Sequence, residues 1–567
     1  MKFAWKSLCF LCVLCGASLC LSLDREAFSI TNYALTLQIE PEQHRLGARG
    51  KISLRNDKST PQKIAVLQIS SSLNWRAIRA GDKALQFVTQ PYTSDIDHTG
   101  SLSEAIITLP HEVAAKGTID LNIAYEGVIL LDTTRLTRIG TPEGVARASD
   151  WDRIDENFTA VRGAGYVAWY PIATESASLS EATAFSEVVN RWKERETFSE
   201  MSVCIQYTKD YKALFSGTKD VIAIAIDAHK LGNVAAFSMI RPGGNVPTFA
   251  LADYQSIDVK SSSVKFLAGK EALASSYADL LTTLNPLPAL QDPIGVQIAQ
   301  LPEIEASPFV SDGLLLTPLQ PLKEQGRLTL VYALSRRKLS SPRPWINEGL
   351  AHFAQAYDIE QQHGRAAALA YLEAHLPLLA TAELERSQSV AESATPTSAL
   401  INTRDDIYLQ SKAMWVWWML RDMIGESSLN IVLSSYRNSE DNDPTYMPRL
   451  IAAQNQRDLS WFFDDWLYHD RGLPDFKVES AYAARTPTKS FMLTLTLDNL
   501  GTAAAEVPVI VKFAGGEITK RVELHAKSKL TFRVETPAAP QEVKVNDGSV
   551  PESDLTNNSF KLPEPVK

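Results

Sequence analysis

The spacing at which apolar residues recur changes twice along the chain, and this constrains the fold more than any other feature. From about Phe28 they alternate, in ITNYALTLQIEPEQHRLGARGKISLRN, KIAVLQIS, EAIITLP and GTIDLNIAYEGVIL, with turn residues at Glu40-Pro41, Asp57-Lys58 and Pro110. Period two puts successive side chains on opposite faces, so this text predicts an antiparallel β domain. YVAWYPIA (Tyr166 to Ala173) and MSVCIQYT read as further strands, and the β-rich region is expected to end near Tyr254. After about Ser262 the spacing becomes three and four. FLAGKEALASSYADLLTTL, WINEGLAHFAQAYDIEQQHGRAAALAYLEAHLPLL, SKAMWVWWMLRDMIGESSLNIVLSSYR and DLSWFFDDWLYHD read as helices. Arg471-Gly472-Leu473-Pro474 ends them. Alternation then returns in FMLTLTLDNLG, EVPVIVKFAGGEITKRVELH and KLTFRVETP, as in a small immunoglobulin-like β-sandwich.

These changes divide the chain into a β region at 23–258, a helix-rich domain at 259–478 and a sandwich at 479–567. The whole is multidomain α+β. A length of 567 residues accommodates about three domains with full cores. The first 22 residues are read separately. Lys2 and Lys6 precede the apolar run Ser7 to Leu21, and Asp24 and Arg25 follow it. The run is short for a membrane span and is expected to be a secretory signal; the alternative is an uncleaved anchor. The expected location is periplasmic or extracellular, with membrane contact only if the segment is retained. Four of the five cysteines lie in this segment, so the mature chain keeps only Cys204 and has no internal disulfide. The net charge of −10, without a basic stripe, argues against nucleic acid as a partner.

The segment Pro344-Trp345-Ile346-Asn347-Glu348-Gly349-Leu350-Ala351 is the most specific text in the chain. It resembles the W-L-N-E-G-x-A signature of gluzincin metallopeptidases of the membrane alanyl aminopeptidase family. Lys412-Ala413 followed by MLRDMIG, and DLSWFFDDWLYHDRGLPDF, resemble later stretches of that family, as does the TNYALTLQIEP opening. The resemblance implies a thermolysin-like central domain, with Glu348 in the position of the third zinc ligand.

A catalytic zinc needs three protein ligands and an open position for water. The family obtains two from H-E-x-x-H, whose spacing puts both imidazoles on one helix face, with the intervening Glu as general base. At the usual spacing before Glu348 the histidine positions fall on Gln325 and Thr329. With a shorter connection they fall on Tyr332 and Arg336, and Ala333 takes the place of the base. The second alignment is preferred, because VYALSRRKL reads as a helix leading into Ser341-Pro342-Arg343-Pro344. Neither alignment supplies ligands, since there is no histidine or cysteine between His229 and His352. Arg remains protonated, and a phenol of pKa about 10 is a poor ligand at neutral pH. An Arg336 guanidinium beside Glu348 would substitute for the metal charge.

Other family parts are altered. The amine-binding G-A-M-E-N segment is replaced by PEIEASPFVSDGLLL, with Glu303 and Glu305 outside the motif's setting. The transition-state tyrosine position is Gln410, and Tyr408 lies two residues further off. His352, one turn after Glu348, is a candidate second ligand to a rebuilt site, with His363 or His375 as a third. Trp415, Trp417 and Trp418 are read as core, Cys204 as a buried inert thiol, and the acidic tail VNDGSVPESDLTNNSF as a polar turn in preference to a calcium loop. The expected function is a catalytically inactive, exported homologue that binds peptide or extended protein segments in the inter-domain cleft and needs no cofactor. The alternatives are an active aminopeptidase with a divergent zinc site and a structural envelope module.

Overall fold

The computed structural model describes residues 23–219, 233–241, 244–287, 295–339, 341–392, 399–403, 405–455 and 457–563. The signal-like segment lies outside them. The chain is multidomain, with several sheets and a helical region between them.

The first region is built on an eight-stranded sheet whose centre is Glu200–Tyr207, Phe28–Glu40, Arg45–Asn56 and Thr118–Val128. Alternation along Phe28–Glu40 sends Tyr33, Leu35, Leu37 and Ile39 into one core, shared with a three-stranded sheet of Gln62–Ser70, Ser101–Val113 and Phe87–Thr93. The expectation of a purely antiparallel domain needs correction: Phe28–Glu40 pairs parallel with Glu200–Tyr207. A parallel neighbour requires a long connection, and here it includes the helix Ala182–Arg195. The strand expected at Tyr166 to Ala173 does not form. Val167, Trp169, Tyr170 and Ile172 are all fully buried, so their apolarity reflects a core crossing rather than a half-exposed strand.

Strands also continue beyond Tyr254. Gln255–Val259, Ser262–Phe266, Gln297–Leu301, Leu314–Pro318 and Phe309–Ser311 make a five-stranded mixed sheet, in that order, within the region read as helix-rich. Its central strands are short apolar runs, which periodicity alone cannot separate from helix. Against it packs the helix Glu324–Leu339, through Leu330, Ala333 and Leu334.

The helices Glu324–Leu339 and Pro344–His363 lie side by side, joined through the Ser341–Arg343 turn. Helical spacing sorts the second one into two faces. On one face Trp345 stacks on Trp417 at 5.1 Å, and Trp417 Nε1 donates to the Trp345 carbonyl at 3.0 Å. Four residues on, Gly349 meets the helix Ala413–Ile424 so closely that a Cβ there would sit 2.7 Å from that of Ala413. Trp415, Trp417 and Trp418 are all buried in this core. Beside that face, a fraction of a turn round the helix, stand Glu348 and His352, which line a cleft.

After Pro474, seven strands form two antiparallel sheets of three and four, whose inward valines and leucines join the helical core. The acidic tail is held as a polar turn. Glu552 Oε1 accepts from the amides of Asn546 and Asn558, both at 2.5 Å, and Oε2 accepts from the Phe476 amide at 3.0 Å.

The close approach at Gly349 gives a first test. Gly349→Val forces the two helices apart and should destabilise the protein by about 1–3 kcal/mol through overpacking. A lowered urea midpoint with an unchanged slope is the expected reading, and an unchanged midpoint would contradict this packing.

Candidate functional site

The cleft has a volume of about 590 Å³. One wall comes from the two adjacent helices, another from the edge strand Phe309–Ser311 and the chain at Gly244 to Val246, and a third from residues near the end of Ala182–Arg195. At its floor is Glu348, whose side chain is 18% exposed.

Both carboxylate oxygens of Glu348 are engaged. Tyr332 Oη donates to Oε2 at 2.5 Å, and Arg336 Nε donates to Oε1 at 2.7 Å. Tyr332 and Arg336 are four residues apart, so one helix face delivers both to the same carboxylate. Gln325 and Thr329, the other pair considered from the sequence, line the cleft further along the same helix. Arg336 has two more partners: Nη1 donates to the Val310 carbonyl and Nη2 to the Gly244 carbonyl, both at 3.2 Å. A single guanidinium thus ties the helix pair to the edge strand and to the β region. The helices are also clamped at a second level by the bidentate Arg327–Asp358 pair, 2.7 Å on each arm, and by Gln355 Nε2 on the Leu328 carbonyl at 3.0 Å.

The electrostatics follow from burial and partners. Burial pushes the Glu348 carboxyl up, but the Arg336 charge, the Tyr332 hydrogen bond and His352 outweigh it, and it titrates below its ordinary value. Burial and the Glu348 charge push the Tyr332 phenol well above its ordinary range, so it remains a neutral donor. Burial lowers Arg336, yet Glu348 and Tyr332 more than restore it, and the guanidinium stays charged. His352 lies beside Tyr332, ring centroids 4.9 Å apart and planes tilted by 43°, with Nδ1 2.9 Å from Gln355 Oε1. That oxygen accepts, which assigns the ring proton to Nδ1 and leaves Nε2 bare. Burial lowers His352 despite the Glu348 field, so the ring is neutral near pH 7.

The zinc implied by the sequence resemblance can be tested against these donors. Glu348 has both oxygens occupied, Arg336 cannot ligate, and Tyr332 holds its proton. His352 is the one imidazole lining the cleft among the described residues. His375 is near enough to depress it further but does not line the cleft, and His363 lies 4.0 Å from Glu324 instead. No group of three or more His, Cys, Asp or Glu suited to a metal is present among the described residues. The donor set does not fit a zinc site of three ligands plus water. At the base position, Ala333 is 1% exposed and packed in the core beneath the sheet.

Other expected residues are dispersed. Tyr408 is buried, with its ring under the Arg386 guanidinium, and does not line the cleft; Leu409 and Gln410 do. They belong to a wide π-type turn, Tyr408–Lys412, anchored by the fully buried Lys412 on Glu383, Asp470 and the Gly472 carbonyl. Glu303 pairs with Arg153. Lys193, Arg241, Asn245 and Asp406 line the cleft and were not singled out from the sequence. Their segments carry no motif, and folding alone brings them to this place.

Glu348→Gln leaves Arg336 buried beside a neutral amide and should cost about 3–5 kcal/mol in urea unfolding. Adding Arg336→Met should recover part of that loss, because the two groups are coupled; strictly additive costs would contradict the pairing. The pH dependence has a definite sign. Glu348 and His352 both titrate below their ordinary values in the folded state, so each contributes stability above its unfolded pKa, about 4.3 and 6.5. Acidification removes the His352 share first, from about pH 6.5 downward, and then the Glu348 share. His352→Gln should flatten the upper part of that loss in a series of thermal melts.

No family model matches the sequence, and no curated protein does. The solved structures to which the chain is similar include M1 zinc metallopeptidases. That of Deinococcus radiodurans is 13% identical, covers 78% of this chain and 95% of its own, and has a TM-score of 0.48. A mutant of it bound to a Tyr-Ser-Ala substrate is 15% identical, over 79% and 96%, with a TM-score of 0.47. A two-domain M1 zinc metallopeptidase mutant bound to L-tryptophan is 15% identical, over 78% and 94%, also with a TM-score of 0.47. At these values no residue of the present chain acquires a role from the likeness.

Proposed function

We propose that the chain is a catalytically inactive, metal-independent relative of the gluzincin aminopeptidases. In this reading it holds peptides or extended protein segments in its cleft at the cell envelope. The β region at 23–258, the thermolysin-like domain at 259–478 and the immunoglobulin-like sandwich at 479–567 are its three parts. Export rests on the basic and apolar residues of the first 22 positions.

The observation that carries the proposal is the closed set Tyr332–Glu348–Arg336. Metal-assisted peptide hydrolysis requires a Lewis acid on the carbonyl, an activated water and a base to take its proton. Glu348 is neutralised by a guanidinium that is itself engaged on two backbone carbonyls. Ala333 stands where the sequence resemblance puts the base. What these residues retain is a cleft of mixed polar and apolar lining, within the size range of small-ligand sites, about 300–1,000 Å³.

A panel of aminoacyl-anilides should show no turnover above buffer, with or without added zinc. One zinc per purified chain together with chelator-sensitive hydrolysis would overturn the proposal. The converse variant is more demanding. Tyr332→His with Arg336→His places two imidazoles four residues apart facing Glu348, and should take up about one zinc per chain by elemental analysis. It should still not hydrolyse the anilides, since Ala333 supplies no base. Absence of zinc uptake would show that this face does not present ligands as described.

A further inference from the structure

The helix Ala182–Arg195 ends at a buried carboxyl group. Glu196, the residue after its last turn, is 0% exposed. The Glu196 amide donates to the Trp192 carbonyl at 3.2 Å, and its carbonyl accepts from the Ser199 amide at 3.1 Å. The residue is thus fixed in the turn that leads into Glu200–Tyr207. Thr197 and Lys193, on either side of it, line the cleft, and Thr197 Oγ1 donates to the Lys193 carbonyl at 3.0 Å. Whatever holds Glu196 therefore holds this part of the cleft wall.

From the strand Phe28–Glu40, Tyr33 Oη lies 3.3 and 3.2 Å from the two carboxyl oxygens of Glu196. From the core crossing, Tyr170 stands edge-on to Tyr33 at 5.6 Å, and Tyr125, on Thr118–Val128, acts on both phenols. Burial holds Tyr33 and Tyr170 well above the ordinary phenol range, so both stay protonated. From its own helix come Trp192 and Arg195. The Arg195 guanidinium is directed elsewhere. It donates to the Phe28 and Ala173 carbonyls at 3.2 and 2.6 Å, and lies 3.3 Å from Glu26 and 4.0 Å from Asp57. A fully buried carboxylate without a bonded counter-charge is costly, and such a group takes up a proton instead. The hydrogen bonds agree. Tyr33 Oη is also 3.0 Å from the Pro171 carbonyl, which can only accept. The single phenol proton goes there, so the proton between Tyr33 and Glu196 belongs to the carboxyl. Burial outweighs the Arg195 charge and the polar groups of Trp192 and Tyr33, and pushes Glu196 up to about 8.

We propose that Glu196 is a neutral carboxylic acid that donates to Tyr33 and fastens the cleft wall, and that its ionisation in mildly alkaline solution loosens that wall. The step passes one proton from the carboxyl to solvent base. The carboxylate left behind has no hydrogen for Tyr33, whose own proton is committed to Pro171. If the phenol turns to the carboxylate, it gives up the Pro171 carbonyl. Either way, one of the two bonds that join the helix end to the first strand and the core crossing is lost. The last helical turn, with Lys193, and the following turn, with Thr197, loosen together. The device needs no ligand and stands whether or not the cleft holds peptide.

Glu196→Gln keeps a donor for Tyr33 and removes the titrating proton, so it should fold. In the unfolded chain a glutamate ionises near about pH 4.3. The stability that Glu196 contributes is therefore full below that pH, falls as the pH rises, and is gone above about pH 8. Urea unfolding of the full chain and of the variant should show the wild-type folding constant falling relative to the variant's by up to about tenfold per pH unit across that window, and levelling beyond it. Hydrogen exchange read by mass spectrometry locates the effect. Peptides spanning Asn190 to Ser199 should open more in the wild type than in the variant at about pH 9, and equally at about pH 6. A constant ratio of folding constants across the window, or a variant that does not fold, overturns the neutral acid. A pH-dependent ratio without the local difference in exchange overturns its hold on the cleft wall.

Discussion

A carboxylate placed between two packed helices needs a counter-charge, because desolvating it costs several kcal/mol otherwise. For Glu348 that counter-charge is Arg336, and the surrounding architecture depends on where the guanidinium goes. Its three nitrogens reach Glu348, the edge strand at Val310 and the chain at Gly244. The helix pair, the mixed sheet and the first β region therefore meet at one side chain. The Tyr332 phenol takes the remaining carboxylate oxygen, and burial keeps it protonated. The Glu348 carboxylate is closed as a hydrogen-bonded unit with both of its oxygens engaged.

The Trp-x-Asn-Glu-Gly text has a packing logic separate from chemistry. Trp345 and Gly349 are on the face that stacks on Trp417 and touches Ala413, while Glu348 and His352 are on the face toward the cleft. The first pair fixes how close the helices come, and the second is what a ligand meets. The same segment can therefore persist in a chain whose cleft does not suit a metal. Lys412 has a comparable role: fully buried, it anchors the turn that brings Leu409 and Gln410 to the cleft.

Much of this was legible in the sequence. The helices Glu324–Leu339 and Pro344–His363, the turn between them and the closing strands all follow from periodicity and turn chemistry. The approach of Arg336 to Glu348 is a hypothesis that the family resemblance raises, by putting Tyr332 and Arg336 on the two histidine positions; i,i+4 spacing alone places them on one face. The five-stranded sheet after Tyr254 was missed, since short apolar strands alternating with loops carry no period. Tyr166 to Ala173 departs from its expected strand for a related reason: it is buried at nearly every position and pairs with a neighbour only at an isolated bridge, Ile172 with Gln68. The place of Lys193 and Arg241 in the cleft lining could not be anticipated. Lys193 and Arg241 are 48 positions apart in sequence, and only tertiary packing aligns them.

The central claim is that a guanidinium, and not a metal, neutralises Glu348. Crystals grown in millimolar zinc and measured at the zinc absorption edge test it most directly. The account predicts no anomalous peak within ~3 Å of Glu348, beyond the range of a Zn–O bond, with Arg336 Nε still on its carboxylate. A peak bonded to Glu348 and His352, with Arg336 turned away, would contradict it.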